Sequence, residues 1–473
     1  MADVVKINGY DIVDTRSKAD IADIRAYLGY TDKNVIGLLA DFENNTFTRL
    51  GGAVGKSAGA DFNMYNMYGN RKVCAVQDDG TISKWWGEDG YVEDGSIGQI
   101  MVRQPKFYYK VVPLKLQKIE PEDETQTDVK GYHGLKMAYY ISDKPLPGFK
   151  LHPAFVGHNG EEADCYYIGS YEASLWDASE NEYRKYDTWD VTDNGDNTYT
   201  INALDTYVAD ATSDKLCSIA GVKPAGGEYS TQFIRPNVNQ MAKNRGSKWT
   251  GINYKMLSAE QLLFIIEYAS FNSQSALANG VCTLDSGNHN ESVFTGATSE
   301  LGNASGSSIT YRLTSDGVYE SLTSDDKCSV RYRGAENLWG NMMEYIHGVN
   351  LYGDGTMLGG IHYYCTDFNY AESKSTDNYV TTGITGYNTS DYVSAFGYSE
   401  ECDWAFIMTD GSGTSTLPVG DRQWYNTDNQ GYRIKTSSGY WGNSLMVGIF
   451  YSRSIMGVGR RDRTFGGRLA YID

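Results

Sequence analysis

Met256 to Ala278 is the one stretch of this chain that reads as a long helix, and it limits what the rest can build. Leu262, Leu263, Ile265, Ile266, Ala269 and Phe271 form so broad an apolar face that the helix must be largely buried. Ser258 is placed to cap its start, Glu260 and Gln261 sit in its first turn, and Gly280 ends it. A helix this apolar needs a sheet to pack on, and the sequence around it supplies short strand-like runs.

Those runs come in order. From Phe47 to Asp94 glycines and aromatics alternate, with turns expected at Asp79-Gly80 and Asp89-Gly90. Leu50 to Gly55 is glycine-rich, but it lacks the Gly-Lys-Ser/Thr spacing of a phosphate loop and no helix follows, so it is read as a turn. Gln99 to Val112 reads as two strands split at Pro105. Gln117 to Lys130 is an exposed acidic excursion, and Met137 to Ile141 and Tyr166 to Tyr171 read as further strands. Residues 175 to 250 are polar, with a hairpin expected on Asn194-Gly195; Asp285 to Ser308 is read as loop, and residues 350 to 440 as long insertions between core strands. At the start of the chain, Val4 to Val13 alternates like a hairpin around Asn8-Gly9, and Asp14 to Leu28 is helix-like, stopped by Gly29.

A chain of 473 residues exceeds the usual single-domain size. The expected division is an attachment or oligomerisation segment over 1–45, a small β-rich connecting region over 46–97 and a large domain over 98–473. With 41 basic and 60 acidic side chains the net charge is −19, which argues against general binding of nucleic acid or anionic membranes. The longest apolar run, Leu262 to Ile266, is far too short to span a bilayer, and no signal-peptide pattern opens the sequence. Cys74, Cys165, Cys217, Cys282, Cys328, Cys365 and Cys402 show no CxxC pair, hence no zinc or disulfide pattern. Gly and Tyr far outnumber Pro, the palette of turn-rich β structure and of recognition loops.

The last stretch concentrates the chemistry. A strand-like core at Leu445 to Tyr451 leads into Ser452 to Thr464, where Arg453, Arg460, Arg461 and Arg463 stand beside Ile455, Met456 and Val458; Phe465 to Tyr471 then resumes apolar alternation. Several guanidiniums together suit carboxylates or phosphates. The competing reading, that each arginine pairs with the protein's own surplus of acids, weighs about evenly for any single one.

Three segments stand in a telling order: Tyr254 to Ala269, then Asn337 to Ile346 with Trp339, Gly340, Asn341 and Glu344, then Gly448 to Tyr451 through Phe465-Gly466-Gly467-Arg468-Leu469. This order resembles the formylglycine-generating-enzyme branch of the C-type-lectin fold, and it is more similar still to phage tail-tip receptor-binding proteins, including those diversified by retroelements. The resemblance covers roughly residues 98 to 473 and implies an α+β, C-type-lectin-like domain with long irregular insertions. It implies structural roles for Trp339, Gly340, Asn341, Glu344, Gly466, Gly467 and Arg468. The enzymes of that branch use a reactive cysteine pair near the C-terminus, and this chain has no Cys after Cys402.

What the resemblance implies is a virion adhesin that grips a bacterial surface receptor, protein or glycan. Its display loop is 440–464, with Tyr440, Trp441, Asn443, Tyr451, Arg453, Ile455, Met456, Arg460, Arg461 and Arg463 as contact residues. Tail or baseplate proteins would bind the N-terminal segment, and the protein would be a homotrimer made in the host cytoplasm. No catalytic set is expected, no cofactor or metal is predicted, and calcium is left open. His347 and His362 are read as structural. The alternatives are a glycan hydrolase or oxidoreductase on the same scaffold, or a purely structural virion protein.

Overall fold

The computed structural model describes residues 4–7, 10–13, 33–186, 189–194, 199–204, 207–227, 232–284, 292–314, 317–371, 377–425 and 430–473. The expected helix over Asp14 to Leu28 and the turns at Asn8-Gly9 and Gly195 lie outside these residues.

The long helix occupies Tyr254–Tyr268, and every residue in it except Tyr268 is buried. Its cap is Asn253, whose side chain accepts from the Met256 amide at 3.0 Å. Ser258, expected as the cap, lies one turn inside and donates its hydroxyl to the Trp404 carbonyl. The helix stops at Ala269, which takes a left-handed φ of 50°, and a separate short helix follows at Ser273–Ala276.

Three large sheets share one hydrophobic cluster with this helix, joining Leu38 and Tyr139 of one sheet, Val102 and Ile168 of the second, and Ile346 and Leu351 of the third to Leu263 and Ile266. The first sheet is built on Tyr108–Lys118 and Tyr132–Ser142, flanked by the hairpin of Ile36–Asp41 and Thr46–Gly51. The second is six-stranded, in the order Trp249–Gly251, Leu469–Ile472, Cys165–Gly169, Gln99–Pro105, Lys72–Val76 and Ile82–Trp85. The third centres on Met343–Gly353, with Ile361–Cys365 and Tyr379–Thr385 on one side and Gly431–Ser437, Ser452–Met456, Arg422–Trp424 and Asp391–Tyr392 on the other.

This architecture overturns the α+β, C-type-lectin-like class expected from the sequence. The chain is 36% strand and 12% helix in several open sheets, so it is β-rich. Much of the difference lies in residues 350 to 440, where interrupting Gly, Asn and Ser hide the alternation of strands that complete two of the sheets. Residues 175 to 250 likewise hold a helix, Arg235–Lys243, that was not expected. Its Arg235 is buried and donates to the Val349 carbonyl at 2.8 Å and to Asn350 Oδ1 at 2.6 Å.

Local turn signals fare better. Gly80, at φ 89°, closes the hairpin of Lys72–Val76 and Ile82–Trp85, and Pro105 ends one strand before Tyr108–Lys118 begins in another sheet. Pairings cross both expected boundaries: Ile36–Asp41 pairs with Lys136 to Ile141, and Lys72–Val76 pairs with Gln99 to Arg103.

Candidate functional site

The C-terminal segment is held differently from the two strands and a loop read in the sequence. The apolar run Leu445 to Tyr451 is not a strand; Ser444–Met446 is a single 3-10 turn and residues 448 to 451 form a buried loop. Side chains from elsewhere satisfy its backbone. The Phe450 amide donates to Asp421 Oδ2 at 2.8 Å and the Ile449 amide to Ser273 Oγ at 3.0 Å, while Gln261 and Gln423 donate to the Ile449 and Phe450 carbonyls at 2.9 and 3.1 Å. Gly448 is required there, because a Cβ would sit 2.0 Å from the Asp421 carboxylate.

The strand comes later, at Ser452–Met456, inside what the sequence reading took for loop. It pairs antiparallel with Ile434 to Ser437 and parallel with Gln423 and Trp424. The chain then turns through Gly457 to Thr464 and returns as Phe465–Gly466, parallel to Met343 and Glu344. The displayed turn is therefore shorter than expected, and three contacts pin it: Tyr345 donates its hydroxyl to the Arg460 carbonyl at 2.7 Å, Gly227 its amide to the Asp462 carbonyl at 2.8 Å, and Arg460 Nη2 lies 3.0 Å from Asp462 Oδ2.

The ten expected contact residues separate by burial. Arg460 and Arg461 are exposed; Tyr440, Arg453, Ile455 and Arg463 are half-buried; Trp441, Asn443, Tyr451 and Met456 are buried. Trp441, only 3% exposed, packs with Val281, Leu284 and Met342, and Tyr451 and Met456 belong to the core around Met343 and Phe465. These large side chains therefore serve packing and offer no contact area in this conformation. Asn443 accepts from the Tyr440 amide at 3.1 Å. Two of the arginines are stacked: Arg453 lies 5.7 Å from the Trp424 ring centre, with Arg422 at 4.2 Å from the same ring, and Arg463 lies 5.7 Å from that of Trp441. Arg461 has no carboxylate partner among the described residues.

The residues given structural roles meet in one buried polar network. Asn337, Gly340 and Asn341 all have positive φ, at 50°, 82° and 54°, a conformation that Gly and Asn tolerate best. This folds the segment back so that both Asn amides donate to Glu172 Oε2, at 3.2 and 2.6 Å, while the Met342 amide donates to Oε1 at 2.9 Å. Trp339 is wholly buried against Phe264 and donates to the Ala278 carbonyl at 3.0 Å. Gly466 and Gly467 pass so close to the Ala225 carbonyl and Val238 that a Cβ would come within 3.1 and 2.9 Å. Arg468 joins Glu344 to the carbonyls of Gly169, Glu336 and Asn337. Burial pushes the Glu172 carboxyl up to about 8 and raises that of Glu344, with Arg468 opposing both shifts.

No family model and no curated protein matches this chain.

Sequence reasoning missed Glu172, Asp421 and Trp424. A single acid or aromatic in an otherwise unremarkable stretch carries no signal of the partners that the fold brings to it. His347 and His362 are both buried; His347 stacks on Tyr370, while His362 stacks on Tyr254 and is held neutral by burial and by Lys435. Among the described residues no group of three His, Cys, Asp or Glu side chains is placed to hold a metal ion. Cysteines of the chain are free, and all but the half-buried Cys165 are buried. The accessible chemistry of the C-terminal segment is thus a short cationic turn on a rigid, hydrogen-bonded base.

Proposed function

We propose that this chain is the receptor-binding head of a phage tail, which attaches the virion to an anionic molecule on the bacterial surface through the turn of Gly457 to Thr464. The observation that carries this reading is the pinned turn itself. In a chain of net charge −19, Arg460 and Arg461 are held out to solvent while the turn is tied down at Arg460 and Asp462. Holding guanidiniums in place beforehand lowers the entropy cost of gripping a carboxylate or phosphate. Half-buried Tyr440, Arg453, Ile455 and Arg463 form its base, and Trp441, Tyr451 and Met456 act through the fold, not through contact. The N-terminal strands Val4–Ile7 and Tyr10–Val13, which pair with each other, lie in the segment assigned to attachment on the tail as a homotrimer.

Adsorption of the purified chain to host cells, with Arg460 and Arg461 both replaced by alanine, tests the assignment. Binding weaker by about tenfold or more at unchanged thermal stability is expected, since hot-spot arginines are worth about 2 kcal/mol or more each. Adsorption equal to that of the parent protein sinks the proposal.

A further inference from the structure

Lys72 and Arg103 are direct cross-strand partners in the six-stranded sheet, at the start of Lys72–Val76 and near the end of Gln99–Pro105. Like charges directly opposite one another destabilise a sheet. Neither cation forms a close ion pair with a carboxylate among the described residues; Asp164, held by Lys106 at 2.7 Å, is the carboxylate that feels the charge of Arg103. Lys72 is exposed and Arg103 half-buried. Around Arg103 stand the thiols of Cys74 and Cys165 and the phenol of Tyr167, all raised by burial, and the carboxylate of Asp164, which Lys106 and Arg103 hold below its ordinary range. Lys106 nearby is different: it is neutralised by Glu162 and Asp164, each at 2.7 Å.

The two cations line an open cleft of about 690 Å³. Trp85 and Trp86 line it too, and Trp86 keeps 37% of its surface exposed while the Gly302 backbone lies against its ring, too close for a Cβ. Asn66, Asn70 and Asn303 add side-chain amides, and Glu88 and Asp164 add acceptors. An indole offers a flat apolar face, amides and carboxylates together match vicinal hydroxyls, and two adjacent cations call for one anion. The same carboxylates and the overall charge disfavour a polyphosphate chain.

We propose that this cleft binds an acidic pyranose, a uronate or sialate unit of a glycan, with its ring against Trp86 and its carboxylate between Lys72 and Arg103. The cleft uses none of the residues of the cationic turn, so it is a second recognition site that stands or falls on its own.

Titration of the full chain with trisaccharides of galacturonate, glucuronate and sialate, followed by tryptophan fluorescence and calorimetry, tests it. At least one acidic trisaccharide is expected to bind, with galactotriose weaker by about tenfold. Lys72→Gln and Trp86→Ala are each expected to weaken the acidic sugar by about tenfold without moving the unfolding midpoint, and added salt to weaken it further. Arg460→Ala with Arg461→Ala leaves sugar binding unchanged. No binding of any acidic trisaccharide, equal binding of galactotriose, indifference to Lys72→Gln, or tighter binding of a ten-residue oligothymidylate would each overturn the proposal.

Discussion

The guanidinium of Arg468 meets the carboxylate of Glu344 at 2.6 Å, with both side chains closed off from water. Glu344 belongs to the sheet built on Met343–Gly353, while Arg468 also donates to the Gly169 carbonyl in the six-stranded sheet at 2.8 Å. One side chain thus ties two sheets together through their polar interior.

Removing only one partner leaves a charge stranded. Arg468→Met is expected to cost about 3–5 kcal/mol, and the double change Arg468→Met with Glu344→Met less than the sum of the two single changes. Urea denaturation measures both. A single-variant loss below about 1 kcal/mol would show that the pair does not hold the sheets.

Glu172 sets a pH dependence with a definite sign. Its folded pKa of about 8 lies above its ordinary value of 4.5, so its proton is held more tightly in the folded state. Its contribution to stability is complete below the unfolded value and is lost as pH rises through about 8, an effect on the order of a few kcal/mol. Glu172→Gln, which cannot ionise, should therefore lose less stability than the parent between pH 5 and 9. Parallel curves for the two proteins would count against a protonated Glu172.

Lys435 works in the opposite direction. It is buried beside Tyr254, its Nζ 5.8 Å from that ring's centre, and burial depresses its pKa from 10.5 to about 7. A depressed base contributes stability above its unfolded pKa and loses it as pH falls through about 7. Lys435→Met should accordingly raise the melting temperature at pH 6 by more than at pH 10. The reverse order in calorimetric scans would refute the neutral, buried amine.

Burial also separates two residues of the displayed segment that looked alike in the sequence. Trp441→Ala should cost about 3–5 kcal/mol through the cavity it leaves, whereas Arg461→Ala should stay within about 0.5 kcal/mol of the parent. Thermal melts of both variants provide the check, and a severe loss for Arg461→Ala would mean that the turn serves folding.

Legibility followed the range of the forces involved. Asp79-Gly80 and Pro105 announced a turn and a strand end because glycine conformation and the missing proline donor act within a few residues. The Asn337 to Ile346 segment stood out through its resemblance to a family motif, and its Asn337, Gly340 and Asn341 prove to occupy left-handed positions. The end of the long helix did not, since Ala269 adopts its φ of 50° under tertiary packing, with no glycine to mark it. The run Gly448 to Tyr451 misled for a similar reason. Apolar side chains bury it as they would a strand, but its backbone partners are Gln261, Ser273, Asp421 and Gln423, all distant in sequence. The meeting of Lys72 with Arg103 was equally invisible, because the two cations become neighbours only when their strands pair.

Leu469–Ile472 lies between Cys165–Gly169 and Trp249–Gly251, so the six-stranded sheet has a gap in it until that strand is in place. During synthesis, two strands made hundreds of residues earlier must wait with unpaired edges while the ribosome finishes the segment. A nascent chain halted after Thr464 would already hold the cationic turn and still lack the strand that joins those edges. Such a chain would expose unpaired strand edges, the kind of surface from which aggregation starts.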